Sequence, residues 1–563
     1  NTTPIPRLFL SLGKRGGYAA YHYPLCCIKN QNMKMKWEKL LSTDRVSCIC
    51  GIDNSKSKKH FKDPRHPFER DWDQIIYSYP FRRLQDKTQV IPLPKKDFVH
   101  SRLTHSLEVS SVGRSLGLML GNHLSKELAK LNFNPEHIGY LTAAACLCHD
   151  IGNPPFGHSG EDSISQYYNY YIPSSGMPEI RLDKLKYENG KYYNNEYSSE
   201  EDNYVWVEVD SPQVFQDHKK WLDLAKFEGN ANGFNILANC TEKGINPTFA
   251  LLGAFSKYPR ESWIKLDKDN PKHRKQRKSQ SKYGFFQSDR ETFKQVAESL
   301  GLKYLGDKKK EDYSWCRHPL SFLVEAADDI CYRMIDFEDG LRIGQIDYYR
   351  TYKLKFEYKY DEKSKTKTMS ISPRKLLIEI CKNDPSFNVD DLKGFDGDYK
   401  NEITFLRSNF INVITHLSFD VFKSNYKGIM DGKYDKSLVE SIKLVNLQQL
   451  LEAMKKLIEV NTYNSEIVLQ TEAAGFEVIG GLLATFIDSA NICFTCEPLQ
   501  MSPRQKKYLS LLPPEFRPRP EEDKRNFASM YLRLMRMNNY VAGMTDSYAL
   551  DLYRKIKGIA DVK

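Results

Sequence analysis

The chain has 563 residues, 40% hydrophobic and 28% charged, which suits a folded protein with a sizeable core. That balance excludes collagen-like, mucin-like and wholly disordered chains. A formal charge of +11, from 83 basic and 72 acidic residues, admits a polyanionic ligand, triphosphate or nucleic acid, without requiring one.

Residues 1–34 are read as upstream sequence outside the fold, with the start expected at Met33 or Met35, at the head of the amphipathic MKWEKLLSTDR. Apolar residues three and four apart predict helices over Thr104–Leu124, Pro135–His149, Pro319–Asp336, Val439–Val460 and Phe476–Ile487. Between them, the Tyr/Asn-rich segment Tyr167–Tyr204 and the basic run Lys272–Lys282 read as surface loops. Leu354, Phe356, Tyr358 and Tyr360 alternate with charged residues, so Tyr352–Ser372 is the one predicted hairpin. No internal repeat is found. The expectation is one elaborated all-α domain over 35–563, with insertions at about 167–204, 265–282 and 352–372. No stretch approaches the roughly 18 to 20 apolar residues that span a bilayer, so no membrane segment is expected. Twelve scattered cysteines suit a reducing cytoplasm, and Cys493-x-x-Cys496 has no second pair at zinc spacing.

The segment LTAAACLCHDIGNPPFGHSGE carries the sharpest chemistry. Its helix of small and apolar residues ends on adjacent His149 and Asp150 and breaks at Gly152-Asn153-Pro154-Pro155. Imidazole nitrogen beside carboxylate oxygen suits a divalent ion of intermediate hardness and leaves positions for water and phosphate. With 13 histidines in the chain a chance His-Asp pair is easily expected, so other segments must decide. Upstream, Arg102-Leu103-Thr104-His105 puts His105 near the start of an amphipathic helix, where it can supply a third ligand. Downstream, VEAADDICYRMID aligns Asp328, Tyr332 and Asp336 at i, i+4 and i+8 on one helical face. Charges on a strip flanked by Ala326, Ala327 and Ile330 are costly to bury unless they bind something.

Taken in order, RRLQDKTQV, RLTHSLEV, HDIGNPPFGHSGE, an EGNA segment, KYPR, KYGFF, RHPLSFLVEAADDICY and YVAGMTDSYALDLYRKI resemble the bacterial dGTPase family of the HD superfamily, from about Met35 to Ile559. The resemblance implies an HD-domain helical phosphohydrolase that converts dGTP to deoxynucleoside and tripolyphosphate; whether other dNTPs also serve stays open. By the same resemblance His105, His149, Asp150 and Asp328 are metal ligands. Asp328 is preferred over Asp329 because it alone puts Tyr332 and Asp336 at the family spacing, and Asp329 then supports the ligands. His158 and Glu161, one turn apart after the PPFG turn, become the acid/base pair. Lys257, Tyr258 and Lys282 would hold phosphates, and Gln89 would touch the sugar and exclude a 2′-hydroxyl. Tyr332 would pack on the sugar, Asp336 would hold its 3′-hydroxyl, and Glu472, in the pattern E-x-x-G-[FY], would meet the guanine.

The implied cofactor is a divalent ion, Mg²⁺ or Mn²⁺, with Fe, Ni or Zn as alternatives. The resemblance also implies a homo-oligomer, a hexamer foremost, and admits single-stranded DNA as a regulator. The chain departs from the family at Asn232 and Asn235, where Gln and Arg are usual, and so lacks a cation there. It has no GxxxxGK[ST] phosphate loop. Two other readings stand beside this one: a deoxynucleoside 5′-monophosphatase sharing the metal site, and a single-stranded nucleic-acid-binding protein using Lys272–Lys282.

Overall fold

The computed structural model describes residues 34–48, 63–89, 100–170, 186–188, 191–198, 203–209, 212–239, 245–264, 277–306, 312–346, 354–360, 365–395, 397–463, 465–495, 501–519 and 527–559. Residues 1–33, 265–276 and Cys496 lie outside the described residues, and with them the upstream segment, much of the basic run and the CxxC motif.

Local sequence sets where the helices begin. His66 caps α1 (Pro67–Tyr77), its ring nitrogen accepting from the Phe68 N–H, and proline takes the first helical position, where no N–H is needed. Ser101 and Thr104 form a reciprocal capping box at the head of α2 (Arg102–His123), and Asn134 with His137 does the same for α3 (Pro135–Leu147). After the PPFG turn come α4 (Gly157–Tyr170), α5 (Pro212–Ala225), α6 (Gly229–Ala238) and α7 (Phe249–Phe255). His318 caps the long α8 (Pro319–Arg342), again opened by proline. The main helices end with α9 (Tyr399–Met430), α10 (Val445–Ile458), α11 (Glu466–Thr495), α12 (Phe527–Ala542) and α13 (Asp546–Lys557).

The fold is all-α, and α2, α3, α8 and α11 occur where periodicity predicts them, the last two running further than expected. Val439–Val460 is not one helix. A 3₁₀ turn, Val439–Ser441, and an extended Leu444 precede α10, and a π turn, Glu459–Tyr463, follows it. The predicted hairpin is present as β4 (Leu354–Tyr360) and β5 (Lys365–Ile371), antiparallel from Leu354↔Ile371 to Tyr360↔Lys365. A second sheet corrects the loop reading of Tyr167–Tyr204: β1 (Lys186–Glu188), β2 (Lys191–Ser198) and β3 (Asn203–Val209) pair antiparallel in that order. Val205, Val207 and Val209 alternate with Tyr204, Trp206 and Glu208, a period-two pattern of strand-forming residues that the Tyr/Asn-rich surroundings conceal. Nor is the described end of the basic run simply loop. Lys278–Gln280 forms a 3₁₀ turn, and buried Ser279 donates its hydroxyl to Asp435.

Among the described residues, two apolar clusters make the interior. The first gathers α1, α2, α3, α7, α8, α9 and α10 around residues such as Leu116, Leu141, Phe322 and Phe410. The second gathers α4, α5, α11, α12 and α13 around Tyr168, Trp221, Leu482 and Tyr531. Ile151 belongs to the first and Phe156 to the second, so the turn after the His-Asp pair crosses from one core to the other. Val468–Asn491 of α11 is, by length and composition alone, apolar enough to cross a membrane, contrary to the sequence expectation. Gly480, Gly481, Thr485 and Asp488 interrupt its apolar run, yet its mean hydropathy still reaches 1.3. Val478, Ile479, Leu482, Leu483, Phe486 and Ile487 are buried in the second core.

Candidate active site

His105 lies on the first turn of α2 and is 1% exposed. Helix α3 stops at Leu147, and the chain turns through Cys148–Gly152, presenting His149 and Asp150 from the turn. A Cβ on Gly152 would fall 2.1 Å from Gly229 O and from Gly233 N, so only glycine lets this turn lie against α6. One ligand atom from each of His105, His149 and Asp150 lies within 4.8 Å of the others. From α8, Asp328 Oδ1 comes to 3.2 Å from His105 Nε2 and 3.4 Å from His149 Nε2. Asp328 Oδ2 accepts from Lys257 Nζ at 2.6 Å. Asp150 pairs with Arg102 and accepts from Asn153 Nδ2 at 2.8 Å.

These residues fit a divalent cation. His149 Nδ1 lies 2.7 Å from the Cys146 carbonyl, which can only accept, so the proton sits on Nδ1 and the lone pair on Nε2. That Nε2 is buried without a hydrogen-bond partner, with carboxylate oxygens of Asp328 and Asp150 at 3.4 and 3.5 Å. A lone pair facing two anions is repulsive unless a cation lies among them. Burial by itself would raise the Asp328 carboxyl, but the Lys257 ammonium beside it holds it well below the usual carboxylate range.

At the start of α4, where a Cβ on Gly157 would lie 3.0 Å from the Arg102 guanidinium that pairs with Asp150, His158 Nδ1 is 3.2 Å from Glu161 Oε2. The imidazole is 83% exposed and the carboxylate largely buried, its Oε1 accepting from the Gly229 N–H at 2.8 Å. The hydrogen bond to Glu161 raises His158 above its ordinary value. Burial would raise Glu161, yet His158 and Lys282 bring it below the usual range. An exposed imidazole tethered to a fixed carboxylate can exchange a proton with a ligand.

The remaining site residues divide into a cationic group and a hydroxyl group. Lys282 Nζ donates to Glu228 Oε1 at 3.0 Å, Tyr258 is half-buried, and Arg260 Nε donates to the Lys282 carbonyl at 2.7 Å, joining the KYPR and KYGFF segments. Further along α8, Asp336 is buried and its carboxyl pushed well up by burial. It accepts from Tyr463 at 3.2 Å, and the hydroxyls of Tyr463 and Tyr332 meet. Gln89 is half-buried with its Oε1 unpartnered, and Glu472 is half-buried on α11. Asp329 accepts from Ser437 at 3.0 Å. Asn232 donates to the Gly152 carbonyl at 2.7 Å and Asn235 to both oxygens of Asp289 at 2.9 Å, so both departures from the family pattern have structural partners. Tyr463, Glu228 and the Arg102–Asp150 pair carry contacts that sequence reasoning did not assign. A π turn after an amphipathic helix is the one local mark at Tyr463.

A helical fold that converges two imidazoles and two carboxylates next to a tethered histidine defines a phosphohydrolase of the HD class, and the chain matches the HD domain over residues 102–181 and the phosphohydrolase-associated domain over 446–555. A deoxyguanosinetriphosphate triphosphohydrolase-like protein of Synechocystis sp. is 34% identical, over 93% of this chain and all of its own length. One from Listeria innocua is 32% identical over the same shares, and a deoxyguanosinetriphosphate triphosphohydrolase of Yersinia pestis is 27% identical over 87% of this chain and 93% of its own. The chain belongs to the deoxyguanosinetriphosphate triphosphohydrolase-like family of HD-domain hydrolases.

Proposed function

We propose that the chain hydrolyses dGTP to deoxyguanosine and intact tripolyphosphate. What carries the reading is the juxtaposition, in a member of this family, of the His105–His149–Asp150 cluster with the exposed, Glu161-tethered His158. His105, His149, Asp150 and Asp328 would hold a divalent ion, Mg²⁺ or Mn²⁺, which when bound supplies Lewis-acid polarisation and a template for phosphate. His158, with Nδ1 committed to Glu161, moves a proton at Nε2 while water displaces the 5′-oxygen from the α-phosphorus. Lys257, Tyr258 and Lys282 bind the phosphates, for which Lys257 must share itself with Asp328 and Lys282 with Glu228. Gln89, Tyr332 and Asp336 take the deoxyribose, and Glu472 takes the guanine. The enzyme works in the cytoplasm as one domain over 35–563, assembled as a homo-oligomer, a hexamer foremost, with single-stranded DNA as a regulator.

Incubation of the purified chain with each dNTP and with GTP, plus Mg²⁺ or Mn²⁺, tests this by chromatography of nucleoside, diphosphate and tripolyphosphate. Deoxyguanosine with tripolyphosphate is expected, and neither from His149→Ala. Turnover of all four dNTPs would remove the guanine role of Glu472. No turnover with either metal, with or without single-stranded DNA, would overturn the reading.

A further inference from the structure

The YVAGMTDSYALDLYRKI motif has no part in the chemistry above, yet its aspartate reaches the active-site turn. Asp546, at the head of α13, is 1% exposed. Its Oδ1 accepts from the Phe156 N–H at 2.9 Å, and its Oδ2 accepts from the Thr88 N–H at 2.9 Å and from the Thr88 hydroxyl. Phe156 has φ +61° and Gly157 φ +59°. A left-handed conformation at a non-glycine residue costs on the order of 1–2 kcal/mol, so the turn persists because its surroundings hold it. On its other side Phe156 fills a notch in α11, where a Cβ added to Gly475 would lie 3.1 Å from Phe156 Cβ. Two residues after Phe156 stands His158; one residue after Thr88 stands Gln89. Lys87 ties the same two turns together, donating to the carbonyls of Asn153 at 2.5 Å and Ala542 at 2.8 Å.

We propose that Asp546 is a positioning residue of the active site, holding the left-handed Phe156–Gly157 turn and the Thr88–Gln89 turn with one carboxylate so that the C-terminal helices fix where His158 stands. The inference rests on reading His158 and Glu161 as the acid/base pair. Release of the Phe156 N–H lets φ relax toward negative values and rotates the first turn of α4. Glu161 keeps its own anchor at the Gly229 N–H, so His158 moves away from it. The cluster of His105, His149 and Asp150 stands on α2 and the turn after α3; the Thr88 turn also meets the head of α2, where Thr88 pairs with Ser101 and the Lys87 carbonyl accepts from the Arg102 N–H, but the Ser101–Thr104 capping box holds that head without Asp546.

Asp546→Ala and Asp546→Asn in the full chain test this. The asparagine keeps the size but must turn an NH₂ toward one of the two turns, whichever way it flips. Three readouts are taken: Mn²⁺ affinity by calorimetry, kcat and KM for dGTP, and the pH dependence of His158 modification by diethyl pyrocarbonate, mapped by mass spectrometry. In Asp546→Ala, Mn²⁺ affinity should stay within about twofold, kcat should fall ~10- to 100-fold, and His158 should titrate closer to the ordinary imidazole value. The asparagine variant should shift in the same sense by less. A folded alanine variant with wild-type kcat and wild-type His158 titration overturns the proposal. If the alanine variant does not fold, the asparagine variant decides, and an unchanged His158 titration there overturns it. Should the wild type hydrolyse no dNTP, the substrate reading fails, while the His158 titration in the variants still decides the role of Asp546.

Discussion

Tyr463 holds a place in the site that no motif marks. Its hydroxyl donates to Asp336 and meets Tyr332, joining a π turn 127 residues away in sequence to the face of α8. If Asp336 receives the sugar 3′-hydroxyl, Tyr463 fixes which way that carboxyl faces. Tyr463→Phe should therefore raise KM for dGTP about fivefold, corresponding to about 1 kcal/mol for one hydrogen bond, with a smaller change in kcat. Steady-state kinetics with dGTP would show it, and an unchanged KM would detach Tyr463 from the sugar. The contrast with His149 and Asp150 explains what is legible at this scale. Adjacent ligands at a helix end followed by Gly-Asn-Pro-Pro leave a contiguous pattern, whereas a hydroxyl brought in by tertiary packing leaves none. The partners of Asn232 and Asn235, Gly152 and Asp289, lie 80 and 54 residues away, and nothing around either asparagine points to them.

Among the elements, the apolar period of the long helices was readable and the contacts between helix heads were not. His66 and His137 each accept a backbone N–H through Nδ1, at the heads of α1 and α3, and their rings stack at 3.7 Å. Neither acceptor survives protonation at Nδ1. Burial, and then the neighbouring His137, hold His66 down to about 4, and burial lowers His137 as well. The unfolded chain titrates these rings near 6.5, so between about pH 4 and 6.5 it binds more protons than the fold. The contribution of these two rings is thus complete above that window and falls as pH drops through it. The rings are partly exposed, so the share of His66 is about 1–2 kcal/mol after solvent screening. His66→Asn keeps a capping acceptor and removes the titration. Its melting temperature should fall less than that of the wild type between pH 7.5 and 5.0, by about 1–3 °C in a chain of this size. Equal falls would show that the stacked pair does not govern acid stability. Helices α2 and α3 were legible because their apolar period runs over several turns; β2 and β3 were missed because their alternation is short and flanked by residues common in loops.

Across the whole molecule, two cores meet at the active-site turn, and the second depends on chain far from the HD segment. Met530, Tyr531, Leu534, Met535, Met537, Tyr540 and Val541 of α12 are buried against α4, α5 and α11. At about 1.5–3 kcal/mol for each large apolar side chain, their joint removal costs about as much as, or more than, the ~5–15 kcal/mol that holds a domain folded. It would also uncover Leu482, Phe486 and Ile487 on the helix whose composition alone would suit a membrane. A chain ending at Leu511 should therefore aggregate, resist purification without detergent and lose dGTP hydrolysis. The full chain should stay in the supernatant after ultracentrifugation of a detergent-free lysate, because in it those side chains face protein. The two results must occur together: a full chain that sediments with membranes would make α11 a span instead of a core helix, and a truncated chain that remains monodisperse and active would mean that the C-terminal helices neither complete the second core nor hold the turn before His158.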